Sequence, residues 1–260
     1  MINVDVSLEN SQLADCLTGA YAKLRKIFGD VRLTDRSNSQ RLFLITFISL
    51  HTNISECLKL FKIGMYGQSQ LVLRTMLESY ADLKNLISVD GYAERLMLTN
   101  VNQQLKVYSS VVLLKSEVSE ELIDEFDWMV RMASDYSARK VKPLTVQEKF
   151  KTAGLCNYYA TAYRHYSSLS HNDFAGTLFG CHDIDHPVLN IHHHREQDSN
   201  MNFALLGIVF EVLENSTRAM VEHISVYDET MYLSFCDDCR VIVEQVKAIS
   251  EGITISSAKA

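Results

Sequence analysis

The sequence predicts an all-α protein, and three observations predict it. Apolar residues recur at helical spacing, i, i+3, i+4 and i+7, through nearly the whole chain. Prolines number 2 and glycines 10 in 260 residues, too few for the tight turns of a β-rich fold of this size. Helix caps and stops mark the ends of several periodic stretches, with Ser119 and Thr145 at starts and Gly29, Gly64 and Gly154 at ends.

The elements follow in order. A first helix is expected over 8–28, where Leu13, Leu17, Tyr21, Leu24 and Phe28 share one face and Gly29 follows as a stop. A second runs from about Arg36 to Lys62 and closes at Gly64. A third, 68–89, is apolar around most of its circumference, which predicts a central position. The stretch 92–115 reads as a fourth. A fifth opens at Ser119, whose hydroxyl can cap it, carries Glu120 and Glu121 in its first turn, and ends at Arg139 and Lys140. That is the charge order a helix dipole favours. Thr145 and Glu148 have capping-box spacing for a short helix stopped by Gly154. A Tyr-rich helix over 157–171 follows, and two long helices, about 200–225 and 228–250, close the chain.

One region breaks the pattern. Residues 176–199 carry Gly180, Pro187 and a strand-like Val188-Leu-Asn-Ile191, which predicts a long loop or a short β-hairpin insertion. Loops of this length inside a domain are uncommon and often functional. The remainder reads as a single helical-bundle domain over 1–255, with 256–260 a frayed tail.

Composition bounds the function. A formal charge of −7 argues against a broad electrostatic grip on nucleic acid or acidic lipid, while leaving room for a local basic pocket. The first twelve residues lack the basic and apolar regions of a signal peptide, and the longest apolar runs, Leu42–Leu50 and Phe203–Phe210, are too short to span a bilayer. Six cysteines without a secretion signal read as reduced thiols. The expectation is a cytoplasmic protein with no membrane partner. No GxGxxG, P-loop, GxSxG or HExxH occurs, so the readily recognised enzyme classes drop out.

The first chemical candidate is Arg164-His-Tyr-Ser-Ser-Leu-Ser-His171. Seven residues on an α-helix fall about 20° short of two full turns, so Arg164 and His171 share a face, with Ser168 between them and Tyr163 and His165 flanking. A guanidinium offers a planar fork for a phosphate, and an imidazole moves a proton near neutral pH. Cleavage of a phosphodiester by its neighbouring ribose 2′-hydroxyl needs both, and needs no metal. A second such pair, Arg218 and His223, sits about 140° apart on a regular helix and is the weaker match. The plain alternative for Arg164 and His171 is a helix-end pair that satisfies the core or the last carbonyls.

The second candidate is the stripe Arg74, Glu78 and Asp82, four residues apart on the otherwise apolar third helix. At the surface such a pair is worth only about 0.2–0.5 kcal/mol. On a central helix it must be paired in the interior or line a pocket. The interior reading has Glu78 orienting Arg164 or His171 from across the bundle, with Arg74 beside it.

The third candidate is the loop itself. Cys181, His182, His186 and His192-His-His-Arg195 hold five of the nine histidines, yet no standard zinc spacing is present. The reading is a polar loop with no metal, in which Arg195 and His192 contact substrate together with Tyr163. Cys236-Asp-Asp-Cys239 resembles a redox or zinc pair, but both thiols fall on the apolar face of the last predicted helix and read as core. Tyr158, Tyr159, Tyr163 and Tyr166 read mainly as packing residues.

The Arg164 to His171 spacing resembles the Arg, four to six residues, His motif of the HEPN superfamily, with His165 as the polar residue after the Arg. That resemblance implies a HEPN-like helical bundle acting as a metal-independent ribonuclease, usually a homodimer whose motifs face each other. It implies a toxin or phage-defence setting, RNA as substrate and an antitoxin or other protein partner, with no cofactor. The runs 71–84, Thr145 to Lys149, Ala153 to Leu155, and Tyr159 to His171 are also similar to an uncharacterised family of helical bacterial proteins. In that family hydrophobic residues precede the His, where this chain has Ser168, Leu169 and Ser170. The rival reading is a non-catalytic helical module that binds a protein partner or a nucleotide ligand through the same pocket, and the acidic charge favours it.

Overall fold

The computed structural model describes residues 6–29, 38–113, 119–170 and 199–223, together with Asp237, Arg240, Val241 and Glu244. Among them every regular element is a helix: α1 (Val6–Gly29), α2 (Asn38–Lys62), α3 (Tyr66–Ser88), α4 (Tyr92–Leu113), α5 (Glu120–Ala138), α6 (Val146–Thr152), α7 (Cys156–Tyr158), a π-turn (Tyr159–Tyr163), α8 (Arg164–Ser170) and α9 (Ser199–His223). The expected loop or hairpin at 176–199 lies outside the described residues except for Ser199, which opens α9. The Cys236 and Cys239 pair lies outside them too.

The helix ends have local causes. At Gly64 (φ +77°) the chain turns left-handed, and Gly64 N–H and Met65 N–H bond back to the carbonyls of Phe61 and Leu60 at 3.0 and 2.9 Å. This pair of bonds satisfies the last carbonyls of α2 and folds α3 back against it. Gly154 (φ +71°) does the same for α6, with Leu155 N–H on Phe150 O at 2.8 Å. At the end of α5 the left-handed position is filled by Lys140 (φ +60°), a side chain that pays a steric cost glycine avoids. The Thr145 hydroxyl accepts from Glu148 N–H, and the Glu148 carboxylate takes Thr145 N–H, which completes the capping box. Ser119 accepts from Leu122 N–H at the start of α5.

The core lies between α1, α2, α3 and α9. Leu17, Leu24, Leu50, Ile54, Leu73, Leu77, Leu205 and Val209 are wholly buried in one cluster. Each such side chain is worth roughly 1.5–3 kcal/mol of transfer free energy. α2 and α3 pack along most of their length, α9 lies against both and against α1, and α6 and α8 cross α3. α4 pairs chiefly with α5 and touches α2 and α3 beside the core. α3 is therefore central, as its all-round apolarity predicts, with Leu73, Met76, Leu77, Tyr80, Ala81 and Leu83 buried.

Two polar fastenings sit inside this core. Lys149 of α6 reaches Asp82 of α3 at 2.8 Å, with side chains 9% and 13% exposed, and Tyr92 of α4 donates to the other Asp82 oxygen at 2.6 Å. Asn85 adds a bond from its amide to Lys149 O at 2.8 Å. On the opposite side His51 of α2 is buried, 4.1 Å from the Phe47 ring centroid, with its Nε2 3.2 Å from Ser216 Oγ of α9. Burial holds the His51 imidazole down at about 3.

An imidazole buried neutral makes stability depend on acid. Between about pH 6.5 and 3 the unfolded chain binds a proton that the folded chain refuses, so stability is complete above pH 6.5 and falls as the pH drops through that window. From pH 7 to pH 5 the cost is about 2 kcal/mol. Urea denaturation of the wild type and of His51→Gln at both pH values should show a larger loss in the wild type by about that amount. Equal losses would mean that His51 is not held neutral.

Candidate functional site

The stripe on α3 meets the π-turn. Tyr163 donates its hydroxyl to Glu78 Oε1 at 2.9 Å and accepts from Arg74 Nε and Nη2 at 3.4 and 3.3 Å. Arg74 and Glu78 approach each other to 3.5 Å with about a quarter of each side chain exposed, and the guanidinium carbon lies 5.4 Å from the Tyr163 ring centre. The phenol thus sits between a cation and an anion at the edge of the core. Burial raises its pKa first; the Arg74 bond works against that and the Glu78 carboxylate adds to it. At neutral pH the group is a protonated phenol and stays a hydrogen-bond donor to Glu78.

Tyr163 is placed by aromatic packing. Its ring lies 4.9 Å from Phe150 and 5.5 Å from Tyr159, the latter nearly parallel at 16°. The sequence predicts one continuous α-helix over 157–171, whereas the structure inserts a π-turn at Tyr159–Tyr163 whose last bond runs from Arg164 N–H to Tyr159 O. Such single turns recur at functional sites, because the extra residue rotates everything downstream relative to what precedes it. Here the turn puts Tyr163 inward and Arg164 outward. Regular α-helix resumes at Arg164 and continues to Ser170.

Arg164 is exposed and makes no ion pair or hydrogen bond among the described residues, which leaves its guanidinium available to a ligand. His165 is exposed and meets Tyr166 edge-on, with ring centres 5.3 Å apart. Ser168 donates to the His165 carbonyl at 2.7 Å. His171, His192 and Arg195 lie outside the described residues.

Two expectations need correction. Glu78 does not reach Arg164 among the described contacts, because its carboxylate accepts from Tyr163, the residue before Arg164; its other expected target, His171, lies outside the described residues. Tyr163 is buried, 6% exposed, so it anchors Arg74 and Glu78 and is not a surface on which a base could stack. The weaker pair also resolves: Arg218 is spent on Glu214 one turn back at 2.9 Å, and His223 ends α9 in solvent. Sequence reasoning missed the Asp82 to Lys149 pair, though a signal existed. Val146, Lys149, Phe150 and Ala153 form an i, i+3, i+4, i+7 stripe, which puts a lysine on the buried face of α6.

The chain belongs to a family of unknown function (DUF5677), whose model matches residues 40–186. The matched span holds Arg74, Glu78, Tyr163, Arg164 and position 171, and excludes α1, α9 and Arg195. No curated protein and no solved structure matches the chain.

The Tyr163 hydroxyl and its ring contribute differently. Tyr163→Phe removes three hydrogen bonds, shared with two groups that solvent partly reaches, and should cost about 1 kcal/mol. Tyr163→Ala also empties the space against Phe150 and Tyr159, and should cost about 3–5 kcal/mol. Urea denaturation of both variants checks this ordering. A Phe variant as unstable as the Ala variant would mean that the hydroxyl, not the ring, holds the π-turn to α3.

Proposed function

We propose that this chain is a HEPN-like, metal-independent endoribonuclease of a toxin or antiphage system, acting as a homodimer. The observation that carries the reading is Arg164: an exposed guanidinium, unpaired among the described residues, that begins a straight helix directly after a π-turn pinned to α3. A cation held on a rigid element and left without a protein carboxylate suits an anionic ligand better than it suits stability.

In this reading Arg164 binds the scissile phosphate and His171 transfers the proton. His171 takes the proton of the ribose 2′-hydroxyl, whose oxygen attacks phosphorus while Arg164 holds the phosphate. The bond to the 5′-oxygen breaks, and that oxygen leaves with the proton that the imidazolium returns. The products are a 2′,3′-cyclic phosphate and a 5′-hydroxyl, with no oxidant, metal or cofactor consumed. Tyr163, Glu78 and Arg74 are positioning residues that fix where Arg164 begins. His165 and Ser168 flank the pair, and Arg195 and His192 supply further contacts to RNA. A second reading, a non-catalytic module for a protein partner, an antitoxin or a nucleotide ligand, is favoured by the charge of −7, which disfavours a polyanion away from the local site.

The two readings separate on mutation. With purified protein and a labelled single-stranded RNA, Arg164→Ala and His171→Ala should each abolish cleavage while melting behaviour stays near that of the wild type. The double variant should be no worse than either single one, because residues acting as a unit are strongly non-additive. Arg218→Ala should leave cleavage unchanged. A wild type that never cleaves RNA, or an Arg164→Ala variant as active as the wild type, would leave the binding-module reading.

A further inference from the structure

A cavity of about 470 Å³ opens between α1, α2 and α9 and shares no residue with the site around Arg74 and Tyr163. Its size falls within the roughly 300–1,000 Å³ range of small-molecule sites. Its lining is graded along α2. Leu44, Phe47 and Ile48 make one end apolar, whereas Ser55, Glu56 and Lys59 make the other end polar. Ile48, an aliphatic side chain at the cavity wall, is 56% exposed.

The inner wall is aromatic and uncharged. The rings of Phe47 and His51 lie 4.1 Å apart, and Tyr21 of α1 faces His51 at 6.0 Å with an interplanar angle of 24°. Burial keeps His51 neutral, so the depth of the cavity carries no cation. Charge enters only at the ends. Lys62 meets Asp15 at 2.7 Å while Tyr21 meets His51, which makes α1 and α2 antiparallel. Arg25, one turn beyond Tyr21, therefore lies towards the apolar Phe47 end. Lys59 lies about 17 Å further along α2 than Ile48, with Glu56 one turn away to offset its charge. Arg25 makes no ion pair among the described residues, and its neighbours in sequence, Lys23 and Lys26, are cations too. In a chain of net charge −7, this is a cationic end on an aromatic cleft.

We propose that this cavity binds a small planar aromatic anion, its ring against the half-buried Tyr21 and the exposed flank of Ile48, over a floor of buried Phe47 and His51, and its anionic group on Arg25. An aromatic face offers stacking area at little entropic cost, and a guanidinium beside it orients a carboxylate in both distance and plane. A neutral ring would gain the first contact and lose the second.

Isothermal titration with 2-naphthoate tests the assignment, and 2-naphthamide supplies the same ring without the charge. Saturable one-site binding of 2-naphthoate is expected, weakened about tenfold or more in Arg25→Gln. 2-Naphthamide should bind more weakly than 2-naphthoate and be indifferent to Arg25→Gln. Thr52→Trp, which fills the cleft from an exposed position on α2, should remove naphthoate binding. Arg25 and Thr52 are both exposed, so both variants should keep the wild-type melting curve, which is recorded alongside. Absence of saturable naphthoate binding, or binding undiminished in either variant, would overturn the proposal.

Discussion

A helix that carries Arg74, Glu78 and Asp82 at four-residue spacing, yet buries most of its circumference, needs partners for those charges before it can enter a core. An ion left buried and unpaired costs several kcal/mol, a large share of the stability of a domain this size. The partners come from the segment that α3 packs against. Lys149 of α6 and Tyr92 of α4 close around Asp82, and Tyr163 of the π-turn closes around Arg74 and Glu78. Apolar contact alone would allow α6 and the π-turn to slide along α3. Two polar fastenings one to two turns apart on α3, one mostly buried and one about a quarter exposed, fix their register.

That register decides what faces outward. Phe150, Tyr159 and Tyr163 stack on the inner side of the π-turn, and the next residue is Arg164 in solvent. The rigid inner side and the free outer side are two faces of the same few residues. This links the stripe on α3 to the proposed chemistry without a direct contact between Glu78 and Arg164. The second cleft also rests on a contact inside the bundle: His51 Nε2 meets Ser216 Oγ, and the neutral ring lies beside Phe47 and Tyr21, with charge only at the ends of the cleft.

Much of the fold was legible in the sequence because its signals are local. Capping by Ser119, the Thr145 and Glu148 box, and the left-handed glycines at 64 and 154 depend on four or five consecutive residues, and they set helix ends to within a few positions. The central place of α3 follows from its own composition. The π-turn was not legible, since no proline or glycine marks it and its cause is tertiary: a cluster of rings that packs only when α6 and α3 are both in place. For the same reason the stripe could be read as paired but its partners could not be named. Glu78 looked towards Arg164 on spacing, and the preceding tyrosine takes its carboxylate. Nothing local announces that His51 is buried among α1, α2 and α9, because Tyr21 and Ser216 are far from it in sequence.

The account stands on the charges of α3 being keyed to α6, and a double-mutant cycle on Asp82 and Lys149 measures that directly. Asp82→Ala and Lys149→Ala each leave one buried charge without its partner and should cost about 3 kcal/mol or more in urea denaturation. The double variant should be less unstable than the two costs added, with a coupling of about 2 kcal/mol. A coupling below about 0.5 kcal/mol would contradict the account, because the two side chains would then act independently and apolar packing alone would hold α6 to α3.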